Sequence, residues 1–315
     1  MRPTASIALT GWPFDLAATL QSGQVFHWHP HEGGWAGLIG DEPVWISQPR
    51  SDLLHCTPGR AMLVSQYLGL HHDLTALAAT FPANDEPLRQ AITWCPGLRI
   101  LRQPSWECLA TFITSSLKQV PHIRKISLTL RERFGHPVHM PGLPPQWTYP
   151  TAADLAAGGE AALRDCGLGY RAAFLHRTAS DLAEGRFDLQ TVDCLSDDAA
   201  RAALCQFHGV GEKIANCALL FGWQRLAAFP VDVWVERVLR ELYFADDPAI
   251  KAKTLREFAR THFGPAGGYA QQFLFHHARM SGVTGGSTSL RQREAAVELG
   301  SPGLGLRKDG VVADI

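Results

Sequence analysis

Long apolar runs are missing. No stretch of the 315 residues approaches the roughly 20 consecutive apolar residues that a membrane helix needs, so no membrane partner is expected. A disulfide framework is excluded too: seven cysteines, an odd number without close pairing, fit buried thiols in a reducing compartment better than a stapled scaffold. The same cysteines show no closely spaced set of four that could hold a metal cluster. His27, His29 and His31 alternate, but no Cys or carboxylate completes a ligand set beside them, and neither a metal nor another cofactor is expected. An excess of positive charge is missing as well. Lys and Arg number 29 against 30 Asp and Glu, a net charge of -1, which argues against a uniformly basic nucleic-acid binder. Phosphates respond to local charge, however. Between residues 99 and 135, Arg99, Arg102, Lys118, Arg124, Lys125, Arg131 and Arg133 stand against Glu107 and Glu132, so a basic stripe is expected. The opening stretch, MRPTASIALTGWPFDL, has one Arg and is broken by Pro13 and Asp15; no signal peptide is read there, and an intracellular site is expected. What is present, 46% apolar residues over this length, is enough for two or three compact modules.

The stretch 204–238, LCQFHGVGEKIANCALLFGWQRLAAFPVDVWVERV, organises the rest. Ala200, Ala203, Leu204 and Phe207 repeat at the spacing of one helical face. The break His208-Gly209-Val210-Gly211 follows, two glycines that let the backbone turn sharply and leave the N–H groups of the next helix open to a phosphate. Such an arrangement is a helix-hairpin-helix, placed here at 196–222. The second helix carries Lys213 in its first turn, where the dipole disfavours a cation, then an apolar body and a stop at Gly222. After Phe229-Pro230-Val231, Asp232 stands directly before a helical run over 233–244, as an N-cap would.

The first hundred residues read as mixed. Strands are predicted over 25–28, 35–39 and 44–47, with Gly33-Gly34 and 40–43 as turns of an antiparallel meander, and helices over 60–70 and 88–94. From Gly97 the chain reads as almost wholly helical. One helix buries Trp106, Leu109, Ala110, Phe112 and Ile113, Pro121 opens the next, others cover 171–184 and 269–281, and the Gly- and Ser-rich tail beyond is expected to be mobile.

The hairpin, the lysine and the aspartate after a Pro-Val step together resemble the helix-hairpin-helix, Gly/Pro-Asp superfamily of base-excision DNA glycosylases, and Lys213 resembles its lyase-competent branch. Further stretches narrow the likeness to eukaryotic-type 8-oxoguanine DNA glycosylases. Phe14-Asp15-Leu16, Ser22-Gly23-Gln24-Val25-Phe26-His27-Trp28, Leu101-Arg102-Gln103, Phe112-Ile113, Ser115-Ser116 and Cys166-Gly167-Leu168-Gly169-Tyr170-Arg171 all follow that pattern. The resemblance implies an α+β protein. A twisted antiparallel sheet domain of TATA-binding-protein-like type with flanking helices would occupy 1–98, an all-helical glycosylase core 99–282 and a tail 283–315.

It also implies roles. Lys213 would attack the sugar as an amine and Asp232 stabilise the charge that develops as the base leaves. Gln271 and Phe275, four apart on one helix, would offer an amide to the edge and a ring to the face of a flipped base. Cys217, one turn after Lys213, would pack on the other face, and the carbonyl of Gly23 would accept the N–H that distinguishes 8-oxoguanine from guanine. Gly209, Val210 and Gly211 would grip phosphate. Arg171, beside Tyr170, is the retained reader of the opposite base. The sequence departs from the family at Leu117, an apolar wedge in place of an Asn run, at His122 in place of an Arg, and at Trp234 in place of a phosphate-binding His. The partner implied is double-stranded DNA carrying an oxidised purine, met by a monomer. Two alternatives stay open: a relative acting on another damaged base, and a non-catalytic protein that keeps the hairpin only to hold DNA.

Overall fold

The computed structural model describes residues 4–116, 118–247 and 249–281. Leu117 and the tail 283–315 lie outside the described residues. The first part of the chain runs β1 (Ala5–Ala8), α1 (Leu16–Gln21), β2 (His29–His31), β3 (Gly34–Ile39), β4 (Glu42–Arg50), β5 (Leu53–Cys56), α2 (Ala61–Tyr67), α3 (Leu74–Ala78) and α4 (Glu86–Trp94). Its five strands form an antiparallel sheet in the order β1-β5-β4-β3-β2. The meander is where the sequence puts it, with Trp35 opposite Ile46.

Residues 25–28 are not a strand, although their composition reads as one. Val25, Phe26, His27 and Trp28 are all buried, as strand residues can be, but their backbone pairs with no described strand. Side chains take its backbone oxygens instead of a strand. Gln103 Nε2 donates to the carbonyl of Gln24 at 2.8 Å, and Arg124 donates to that of Trp28 at 2.8 Å. Pairing begins only at His29. Of the three alternating histidines, His27 bonds the carbonyl of Leu38 and His31 that of Gly142.

The rest is helical apart from a two-residue pairing of β6 (Pro137–Val138) with β7 (Gln146–Trp147). Its helices are α5 (Ser105–Ser115), α6 (Val120–Phe134), α7 (Ala152–Leu163), α8 (Arg171–Ala183), α9 (Asp197–Leu204), α10 (Glu212–Trp223), α11 (Val233–Tyr243), α12 (Ala252–His262) and α13 (Gly267–Ser281). No described helix is long and apolar enough to cross a membrane.

Two cores result. Val44, Ile46, Leu54, Tyr67 and Leu101 belong to the core under the sheet. Leu74, Leu88, Ala91, Leu98 and Ile100 pack instead with the helical core, because α4 lies against α13. The chain thus joins the helical core by Leu74, and Leu101 returns to the core under the sheet.

At the centre, α5 and α10 pack closely. Phe112 and Phe221 stack with ring centroids 5.4 Å apart. Gly222 does not end α10, as its sequence context implied. A Cβ there would sit 3.3 Å from Cys108 Cβ, so the glycine serves the close approach of the two helices. The helix ends one residue later, where Gln224 adopts a left-handed conformation with φ 52.

The basic stripe is thinner than its sequence. Arg131 is buried and pairs with buried Glu107, while Arg99 is buried against the carbonyls of His72 and Trp12. These two guanidiniums hold the fold together and are withdrawn from the surface.

Candidate active site

The hairpin is built by its caps and its glycines. Ser196 caps α9, Phe207 and Val210 turn inward, and Arg201 Nε on α9 reaches Asn216 Oδ1 on α10 at 2.9 Å. Gly209 has φ 79, and a Cβ on it would lie 2.3 Å from the ring of Phe174. Only glycine fits there without displacing that ring. Gly211 then opens α10 in an extended conformation, with no side chain capping the first turn. The N–H groups of that turn are left to an external acceptor.

From this first turn Lys213 reaches across to α5. Its Nζ donates to Ser115 Oγ at 3.5 Å and lies 5.5 Å from the centre of the Phe112 ring. Ser115 Oγ donates in turn to the carbonyl of Phe112 at 2.8 Å, which directs a lone pair at the amine. Asp232 caps α11, accepting from Val235 N at 2.8 Å, so its carboxylate is fixed by the helix that it starts. Burial pushes the Cys217 thiol up to about 11, with the negative charge of Asp232 adding and the positive charge of Lys213 opposing. A thiol that stays neutral at pH 7 is a polarizable apolar surface and no nucleophile.

These groups meet in one cavity of about 130 Å³, lined by Lys213, Asp232, Cys217, Gly23, Gln271 and Phe275 among others. The sheet part of the chain contributes Gly23 and α13 contributes Gln271 and Phe275. Gly23 has φ 90, and a Cβ there would come to 3.7 Å from Phe275 Cε1. A larger open depression of about 520 Å³ lies over the sheet, lined by Asp15, His31, Glu32 and Gln48 among others; none of the predicted site residues borders it.

The other described residues predicted for the site do not line this cavity. Arg171, at the start of α8, is buried; its guanidinium donates to the carbonyl of Ser116 and sits 4.3 Å from the centre of the exposed Tyr170 ring. His122 is exposed on α6. Lys118, by contrast, borders the cavity, and its Nζ donates to the carbonyl of Gly167 at 3.2 Å.

Sequence reasoning assigned no role to several residues of the cavity, among them Phe112, Ser115, Lys118 and Gln272. Phe112 and Ser115 belong to a helix buried from Glu107 to Ser115, where nothing in the sequence separates packing from chemistry. Gln272 also faces the cavity. Its signal was available: two adjacent glutamines inside the otherwise apolar run YAQQFLF.

Two family comparisons cover most of the chain. Residues 6–109 match the 8-oxoguanine DNA glycosylase N-terminal domain, and residues 111–263 match the HhH-GPD superfamily base excision DNA repair protein. The apo form of an 8-oxoguanine glycosylase/lyase from Clostridium acetobutylicum is 30% identical, with a TM-score of 0.77 over 84% of this chain and 93% of that one. The chain belongs to the 8-oxoguanine DNA glycosylase branch of the HhH-GPD superfamily.

The clostridial relative has also been solved with double-stranded DNA containing cytosine opposite to 8-oxoG; that structure is 28% identical, with a TM-score of 0.80 over 89% of this chain and 98% of that one. A probable N-glycosylase/DNA lyase of Methanothermobacter thermautotrophicus is 40% identical over 121 residues, and the match spans only 38% of that relative's length. The N-glycosylase/DNA lyase OGG1 of Arabidopsis thaliana is 28% identical over 295 residues, 85% of this chain and 78% of that one. The superfamily match takes in the hairpin, Lys213 and Asp232, and the N-terminal match takes in Gly23. Gln271, Gln272 and Phe275 lie beyond both.

Proposed function

We propose that this chain is a DNA glycosylase with AP lyase activity that flips 8-oxoguanine, or a closely related oxidised purine, out of duplex DNA and excises it. The observation that carries the reading is the convergence of an amine, a carboxylate, a neutral thiol, a carboxamide and an aromatic ring on one cavity next to an uncapped hairpin. The Phe275 ring and the Cys217 thiol take the two faces of the base, Gln271 its Watson–Crick edge, and the carbonyl of Gly23 the N7–H. Guanine lacks that N–H and would leave a buried acceptor unpaired.

The lone pair of Lys213 Nζ attacks the anomeric carbon as the glycosidic bond breaks, and the departing base takes the electron pair and a proton. The carboxylate of Asp232 stabilises the oxocarbenium character of that transition state. Loss of a proton from Nζ and opening of the sugar ring give a Schiff base. Removal of a C2′ proton then expels the 3′ phosphate, which is the lyase step. None of these steps needs a cofactor. Gly209, Val210 and Gly211 hold phosphate through backbone N–H groups, while Arg171, Tyr170 and His122 face the vacated stack and the opposite base. The protein acts as a monomer, inside the cell with the DNA.

Borohydride added during reaction with a duplex carrying one 8-oxoguanine reduces the imine and is expected to trap a covalent adduct; Lys213→Gln is expected to form none. An adduct in that variant places the nucleophile elsewhere. Single-turnover excision opposite each of C, T, G and A, in wild type and Arg171→Ala, tests the opposite-base reading. Loss of one bidentate base contact, about 1 to 3 kcal/mol, predicts a cytosine preference about 5- to 150-fold weaker in the variant. An undiminished preference assigns that reading to another residue.

A further inference from the structure

Neighbouring residues on a helix ordinarily face different directions. Gln271 and Gln272 on α13 do not: both are 4% exposed, both line the cavity, and Gln272 Nε2 donates to Gln271 Oε1 at 2.8 Å. A carboxamide has a donor end and an acceptor end, and which of them faces a base decides which edge it accepts. Gln271 has nothing in its own chemistry to choose. The bond from Gln272 supplies the choice, because it binds the oxygen of Gln271 and leaves the Nε2 end to a ligand. Gln272 Oε1 is buried without a hydrogen-bond partner, an arrangement that costs free energy unless a donor arrives.

We propose that Gln272 is a specificity-determining residue of the base pocket, which orients the carboxamide of Gln271 and holds its own Oε1 ready for an N–H of the flipped purine. The inference rests on the excision reading above and adds a residue to it. Purines that present donors and acceptors in a different order along the edge are the class that it discriminates against. 8-Oxoguanine offers an acceptor at O6 and donors at N1 and N2; 8-oxoadenine offers a donor at N6 and an acceptor at N1.

The test compares wild type, Gln272→Leu and Gln272→Glu in single-turnover excision of 8-oxoguanine and of 8-oxoadenine from the same duplex. Cleavage of a preformed abasic site, which needs no base recognition, and the thermal midpoint are read alongside. Gln272→Leu removes both hydrogen-bonding ends at similar volume, and its 8-oxoguanine to 8-oxoadenine ratio is expected to fall about tenfold, the effect of one hydrogen bond of about 1.4 kcal/mol. A glutamate only accepts when ionised, so it turns the NH₂ of Gln271 towards itself; in Gln272→Glu the ratio is expected to shift at least threefold from wild type. Abasic cleavage and the thermal midpoint are expected to stay at wild-type values in both variants. A ratio within twofold of wild type in both variants overturns the proposal. So does a loss of excision that abasic cleavage or the thermal midpoint follows in parallel, which would make Gln272 a packing residue. Failure of wild type to excise 8-oxoguanine would be seen before any variant is compared; it would sink the functional reading, and the inference with it.

Discussion

At the residue scale, the cap made by Asp232 and the charge stabilisation proposed for it separate by substitution. As an N-cap it satisfies Val235 N, a bond that an asparagine also makes, whereas the stabilisation of a developing positive charge needs the carboxylate. Asp232→Asn is therefore expected to lower the excision rate by roughly 10² to 10³ with an unchanged unfolding midpoint. Asp232→Ala is expected to lose the same activity and a further 0.5 to 2 kcal/mol, about the value of a cap, in urea unfolding. An active Asp232→Asn would leave the residue a cap alone. The residues of this site were legible to different degrees, and for a physical reason. Lys213 and Asp232 stand at fixed offsets from one turn and two helix starts, so local rules place them, whereas Cys217 is placed by the family resemblance. Ser115, by contrast, meets Lys213 through a side-chain hydrogen bond across 98 positions. No spacing rule reports such a bond.

At the scale of elements, the hairpin depends on one glycine more than on the other. An alanine at Gly209 meets both an unfavourable φ of 79 and the Phe174 ring 2.3 Å away. Strain and overpacking together predict a loss of about 2 to 4 kcal/mol for Gly209→Ala. Gly211 has no atom within 4 Å of its would-be Cβ and lies in ordinary extended backbone, so Gly211→Ala is expected to cost about 1 kcal/mol or less. Urea unfolding of the two variants checks the order, and equal losses would contradict it. Helices were readable where caps and periodicity agree: α4 starts two residues before the apolar pattern because Asp85 caps it, accepting from Leu88 N at 2.9 Å. Strands β1 and β5 were not readable, being four residues each with a Ser or a His breaking the run. Their identity as strands comes from pairing with each other and with β4, a long-range fact.

At the scale of the whole molecule, the seam between the first hundred residues and α13 carries a half-buried histidine, His72, and a buried one, His276. His72 Nδ1 lies 2.7 Å from the hydroxyl of Tyr269, and burial, with His71 and Arg99 nearby, lowers its pKa to about 4. His276 packs beside Trp94 and is also lowered to about 4, by burial first and by Arg279, with Asp15 opposing. Between the ordinary value of 6.5 and about 4 the unfolded chain takes up protons that the folded chain does not. Stability therefore rises with pH in that window: the contribution is complete above about 6.5 and is lost as pH falls towards 4. Urea midpoints between pH 7.5 and 4.5 are expected to fall less steeply in a His72→Gln, His276→Gln double variant than in wild type, and equal slopes would remove the histidines from the account.

The same seam bears on the order in which the protein is made. Leu88 and Ala91 on α4 find their cover on α13, which starts at Gly267, whereas the five strands pair within residues 5–56 and share a core with Tyr67 and Leu101. A ribosome adding about 5 to 20 residues per second has roughly ten to forty seconds of synthesis between the two helices. Over that interval the sheet is complete in sequence, while the apolar face of α4 waits for a partner not yet made, and a holding chaperone would find its target there.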